Sequence, residues 1–159
     1  MTLLPPSTND AYRGAPASAW FLTVVAVATI VPGCLHVFLP DGGAGVIAGL
    51  DLSQHRERTI ALFAWAGATQ IVWGLVLLLA SLRNRSFVPV LLALLFVERS
   101  LHALNGWVLK GGAAGHHPPE HYASLLSLPV IAVFLALSLR SREDAGLRGP
   151  RSDARRSHA

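Results

Sequence analysis

Charge is scarce in this chain, and cysteine and lysine are nearly missing. Charged residues occupy 14% of 159 positions, against about 25% in an ordinary soluble domain, which excludes a water-facing globular domain of the usual kind. Cys34 is the one cysteine, so no intrachain disulfide is available and the thiol reads as a small apolar packing residue. No Gly-rich phosphate loop, nucleophile elbow or Cys-x-x-Cys pair occurs, and the chemistries carried by those motifs lose their sequence support. The opening Met1 to Pro16 also lacks the basic start, short apolar core and small-residue cleavage site of a secretory signal, so the first apolar span is expected to be retained.

Apolar residues fill the space instead, at 52% of the chain. They gather into four stretches, roughly Ala17 to Leu39, Thr59 to Ala80, Ser86 to Trp107 and Pro119 to Leu139. Each has about the 20 residues needed to cross a hydrocarbon core of about 30 Å. Only a helix satisfies every backbone group within one such segment. The predicted fold is therefore an all-α integral membrane protein, an antiparallel four-helix bundle. An N-terminal segment of residues 1–16 precedes the transmembrane domain of residues 17–140, and a disordered basic tail is expected over residues 141–159. Pro32 and Pro129 fall inside spans and should open the hydrogen-bond ladder locally.

The net charge of +4 does not point to nucleic acid, because the positive residues sit in loops and tails beside the spans. Four spans place both termini on one side, with Arg83, Arg85 and the tail arginines Arg140, Arg142, Arg148, Arg151, Arg155 and Arg156. The other side has Arg56, Arg58 and Lys110. This excess predicts a multi-pass protein of a bacterial inner membrane with both termini cytoplasmic, the bacterial source being suggested by the arginine-rich composition. Trp20, Trp107 and Tyr122 lie where interfacial aromatic anchors belong. Partners beyond the bilayer would be another membrane protein or further copies of the chain.

The informative residues are those that do not belong in hydrocarbon. The third span carries Glu98, Arg99, His102 and Asn105, and an ionisable residue at membrane depth is by default a functional-site hypothesis. Glu98, His102 and Asn105 follow i, i+4, i+7 spacing and share a helix face. Adjacent Glu98 and Arg99 point about 100° apart, so Arg99 is expected to seek Glu120 or a backbone carbonyl freed near Pro32. In the second span Ala64, Gly67, Ile71 and Gly74 form a seam for close helix approach, with Gln70 and Trp73 beside it. His36 closes the first span, and His117 and His121 bracket the start of the fourth.

Glu98, Arg99, His102, Asn105, Gln70 and Trp73 are thus the expected ligand-binding residues. His36, His102, His117 and His121 are the expected metal set, able with Glu98 to offer nitrogen and oxygen ligands to zinc or copper. Two histidines from different helices would alternatively hold a b-type haem. Set against these is a structural reading, in which Glu98 and Arg99 only fix helix register.

The four short helices, the long first loop ending in Gln54-His55-Arg56-Glu57-Arg58, and a second half with Glu98-Arg99, Gly106, Pro118-Pro119 and a last helix ending at Arg140 resemble the DoxX-like group of small bacterial membrane proteins. The resemblance covers residues 17 to 140. It implies an accessory role beside quinone-linked oxidoreductases, as in some of that group. The expected function is an accessory or binding protein with an outward-facing His/Glu pocket for a small ligand, quinone or metal ion. The alternatives are a membrane enzyme using Glu98 and His102 as acid and base on a lipid-like substrate, and a small transporter, which would lack the usual duplicated halves.

Overall fold

The computed structural model describes residues 4–110 and 117–140. Four long helices dominate: α1 Pro16–Phe38, α2 Arg56–Arg83, α3 Val88–Leu104 and α4 Pro119–Leu139. Single 3-10 turns occupy Asn9–Ala11 and Arg85–Phe87, and a π-helical turn at Asn105–Leu109 prolongs α3. Proline stands in the first turn of α1, α3 and α4, where its missing N–H removes no intrahelical bond. The tail expected to be disordered, residues 141–159, and residues 111–116 of the third loop lie outside the described residues.

All four spans are long and apolar enough to cross a membrane, the third running from Arg85 to Leu109. Their outer faces carry Val24, Leu62, Trp65, Leu94, Leu125 and Val133 exposed. Apolar exposure on every helix exceeds what water tolerates on a monomer, and a bilayer covers it. The molecule is a multi-span helical membrane protein.

The helices associate as two hairpins, α1 with α2 and α3 with α4. Between α1 and α2 the seam expected in the second span brings backbones together. A Cβ on Gly67 would lie 2.7 Å from the Gly33 carbonyl oxygen and 2.6 Å from His36 Cβ, and one on Gly74 would lie 2.5 Å from Ile30 Cγ1. Small residues at such crossings replace the hydrophobic effect that lipid cannot supply.

The hairpins join at the end that holds the N-terminal segment and the end of α4. Leu22, Leu77, Leu92, Leu95 and Ile131 form a core there. Ser18 Oγ donates to the Phe134 carbonyl at 2.9 Å, and the Phe21 and Phe134 rings stack at 4.1 Å. Residues of the N-terminal segment strap the α2–α3 turn: Thr8 N–H donates to the Arg83 carbonyl at 3.0 Å, Asn9 Nδ2 to the Leu82 carbonyl at 2.8 Å, and Arg83 Nε to the Pro5 carbonyl at 3.1 Å. Toward the opposite end the buried core thins, and α1 and α4 part.

Gly67→Ala should destabilise the protein by about 1–3 kcal/mol, the usual cost of overpacking, because both nearest obstacles belong to α1 backbone or its first side-chain carbon. Thermal unfolding in detergent measures this. Ala68→Leu, on the exposed face of α2, should leave the midpoint nearly unchanged.

Candidate functional site

One turn of α3 distributes its polar side chains to two neighbouring helices. Trp73 Nε1 on α2 donates to Glu98 Oε2 at 3.3 Å. Arg99 Nη1 donates to Glu120 Oε1 on α4 at 2.9 Å, and His102 Nδ1 stands 3.5 Å from the same oxygen. Successive helical residues diverge by about 100°, which is why Glu98 and Arg99 do not pair with each other. The Arg99 side chain is 17% exposed and that of Glu120 51%, so the guanidinium is enclosed while the carboxylate faces open space.

That space is a cleft between α1 and α4. Its inner part, of about 470 Å³, is lined by Phe21, Val25, Thr29, Arg99, Leu126 and Ile131 among others. Its outer part, of about 460 Å³, is lined by residues including His36, Phe63, His102, Pro118 and His121. Pro32, Gln70, Glu120 and Ala123 belong to both walls, so the two parts adjoin. The Gln70 side-chain carbonyl oxygen is buried without a hydrogen-bond partner among the described residues. Such an atom carries a desolvation cost of about 1–3 kcal/mol until a donor reaches it. Arg99 presents five N–H groups and makes one side-chain hydrogen bond among the described residues. Pro32 has no N–H to offer the carbonyl of Ala28, and both residues line the inner part.

His36 Nδ1 lies 2.7 Å from the Gly42 carbonyl oxygen. A carbonyl only accepts, so Nδ1 carries a proton and donates it. The Phe63 ring meets that imidazole edge-on at 5.2 Å. The adjoining loop, which brings Gly43, Ile47 and Ala48 to the outer wall, is shaped by Asp41. Its carboxylate accepts N–H bonds from Val46 at 2.9 Å, Gly43 at 2.9 Å and Gly45 at 3.1 Å. The bonds from Val46 and then Gly43 do most to hold this carboxyl below the ordinary aspartate range. Its contribution to loop order is therefore present above the unfolded-chain value and lost as pH falls through the lowered folded value.

Beside the cleft the π turn builds an aromatic cluster. Trp107 stacks on His117 at 4.3 Å and meets the Tyr122 ring edge-on at 5.3 Å, while its Nε1 donates to the His121 carbonyl at 3.1 Å. His117 Nδ1 and His121 Nδ1 are 3.1 Å apart. A Cβ on Gly106 would lie 2.7 to 2.9 Å from the His121 ring, so only glycine seats that imidazole on the helix backbone. A small cavity of about 170 Å³ next to this cluster is lined by His102, Asn105, Lys110, Glu120 and His121, among others.

Of the residues expected from sequence to bind a ligand, Gln70, Arg99 and His102 line the cleft, and Asn105 lines the small cavity beside it. Glu98 and Trp73 are bonded to each other and line neither part of the cleft. The expected metal set does not converge. His36 is tied to Gly42, His102 turns to Glu120, and His117 meets His121; among the described residues no three His, Cys, Asp or Glu side chains group around a common point. Glu120 is central to the site, although sequence alone placed it only as a possible partner of Arg99. Elimination marks it out, since Glu98 and Glu120 are the only carboxylates within the predicted spans. No family model, curated protein or solved structure matches this chain.

Removing Glu120 alone should cost about 1–3 kcal/mol, between the values for exposed and buried pairs, because Arg99 would stay enclosed without its counter-charge. Glu120→Gln, Arg99→Leu and the double variant, followed by thermal unfolding, close the cycle. The double variant should recover much of the loss. Strict additivity of the two single changes would show that the ion pair contributes nothing.

Proposed function

We propose that the cleft between α1 and α4 binds a lipid-soluble molecule with a polar head of the quinone class. The observation that carries this is the buried Gln70 oxygen, unpartnered among the described residues, on the wall common to both parts of the cleft. A quinol hydroxyl donates to Gln70 Oε1 or to the Glu120 carboxylate, and a quinone carbonyl accepts from the spare N–H groups of Arg99. Phe21, Val25, Leu126, Val130 and Ile131 supply the apolar wall for a hydrocarbon chain. The volume of each part falls in the range of about 300–1,000 Å³ usual for small-molecule sites. The resemblance to DoxX-like proteins supports the same ligand class, and the protein is then an accessory or binding component beside a redox partner.

A second reading rests on a pair of titratable groups that approach each other at the cleft wall. Acid and base work on a lipid-like substrate falls to His102 and Glu120, 3.5 Å apart, rather than to Glu98 and His102. Turnover of a bound lipid, lost in His102→Gln, separates it from binding alone.

A quinone or quinol that occupies the cleft stabilises the fold by about 2.7 kcal/mol at a hundredfold excess over its dissociation constant. Thermal unfolding in detergent with a short-chain quinone and its quinol should show this rise for the native protein, and Gln70→Leu should remove most of it. No rise in the native protein, together with a more stable Gln70→Leu, would leave Gln70 as an unsatisfied packing residue and end the proposal.

The arginine distribution supports cytoplasmic termini in a bacterial inner membrane, with the mouth of the cleft and the Asp41 loop facing outward. In a Cys34→Ala background, Gln54→Cys should react with a membrane-impermeant thiol reagent in intact spheroplasts and Asp10→Cys should stay protected until lysis. The reverse pattern would invert the protein in the membrane.

A further inference from the structure

The His117 and His121 pair has a geometry that the cleft reading does not use. Their Nδ1 atoms are 3.1 Å apart. Two nitrogens at that separation, each about 2.0–2.1 Å from one metal ion, subtend about 100° at the metal. This lies between the right angle of a square-planar site and the wider angle of a tetrahedral one. Both rings are also held in place. His117 is stacked on Trp107 at 4.3 Å, and Trp107 is fixed by its bond of 3.1 Å to the His121 carbonyl. His121 lies against bare Gly106, where a Cβ would come within 2.7 Å of its ring. His121 and Glu120 also line both the outer cleft and the small cavity, so the His121 side of the pair borders two open spaces.

We infer that His117 and His121 form a two-histidine chelate for a divalent transition metal, taking copper(II) in preference to zinc by the usual affinity order. In the metal-free protein one Nδ1–H donates to the other Nδ1. To ligate, both rings present Nδ1 lone pairs and carry their protons on Nε2; the shared proton leaves to water and a water proton returns to Nε2. Two neutral rings thus release no net proton, and a singly protonated pair releases one. Water completes the coordination. The site is chemically separate from the quinone-class proposal, since neither Gln70 nor Arg99 takes part.

The test uses the full-length protein with a histidine-free affinity tag, titrated with copper(II) and with zinc, and followed by calorimetry and by electron paramagnetic resonance for copper. The native protein should bind one copper(II) with two nitrogen ligands in the spectrum. His117→Gln and His121→Ala should each weaken binding by about tenfold or more, a loss that even outer-shell changes produce, and should remove a nitrogen from the spectrum. Gly106→Ala should weaken it with both histidines still present, because the His121 ring must shift. His55→Ala and His158→Ala should behave as the native protein. Tryptophan quenching by copper(II) should fall in Trp107→Phe. Absence of a two-nitrogen copper signal in the native protein, or affinity unchanged in both His117→Gln and His121→Ala, would overturn the assignment. The native spectrum alone decides it if a variant does not fold.

Discussion

Hydrocarbon offers no hydrogen bonds, and that single property organises this molecule. A charge inside a span must be met by another part of the same protein or face a polar space. Arg99 obeys by reaching Glu120 on α4, and Glu98 obeys by accepting from Trp73 on α2. These two contacts, one residue apart on α3, tie the third helix to both neighbours. His102 adds a further group against Glu120, so one carboxylate answers two α3 side chains. Gln70 is the exception among the described residues: its buried oxygen finds no donor there, and it lies on the wall common to both parts of the cleft.

The bundle is built unevenly along its length. At one end the Leu22, Leu77, Leu92 and Ile131 core, the Phe21–Phe134 stack and the strap from Thr8 and Asn9 make a continuous solid. At the other, α1 stays against α2 through Gly33 and Gly67, α4 stays against α3 through Gly106 and His121, and the hairpins diverge. The two helices that part to open the cleft each carry an interior proline, Pro32 in α1 and Pro129 in α4.

Much of the fold was legible because hydrocarbon thickness imposes span length directly on sequence. The fourth span begins and ends at Pro119 and Leu139 as expected, and the first is displaced by one residue at each end. The α2 seam was legible too, since glycine and alanine at heptad-like spacing have few other uses in a membrane helix. Other features had no periodic signal. Ser7, Thr8 and Asn9 look like an ordinary polar leader, and their bonds to Arg83, Leu82 and Ser86 depend on which turn lies beside them. The π turn at Asn105–Leu109 continues an apolar pattern that reads as plain helix. The site was legible in composition and not in partnership: i, i+4, i+7 spacing put Glu98 and His102 on one face, yet a modest angular offset sends one to α2 and the other to α4.

The strap formed by residues near Thr8 and Asn9 closes one end of the bundle, and this has a mechanical consequence. If the hairpins move apart, the strapped end acts as the pivot and the open end spreads. The protein's cross-section then grows in one leaflet while staying nearly constant in the other. Spreading of that kind works against lateral pressure on one side of the bilayer only, so leaflet tension and membrane curvature enter the energy of the cleft alongside whatever occupies it.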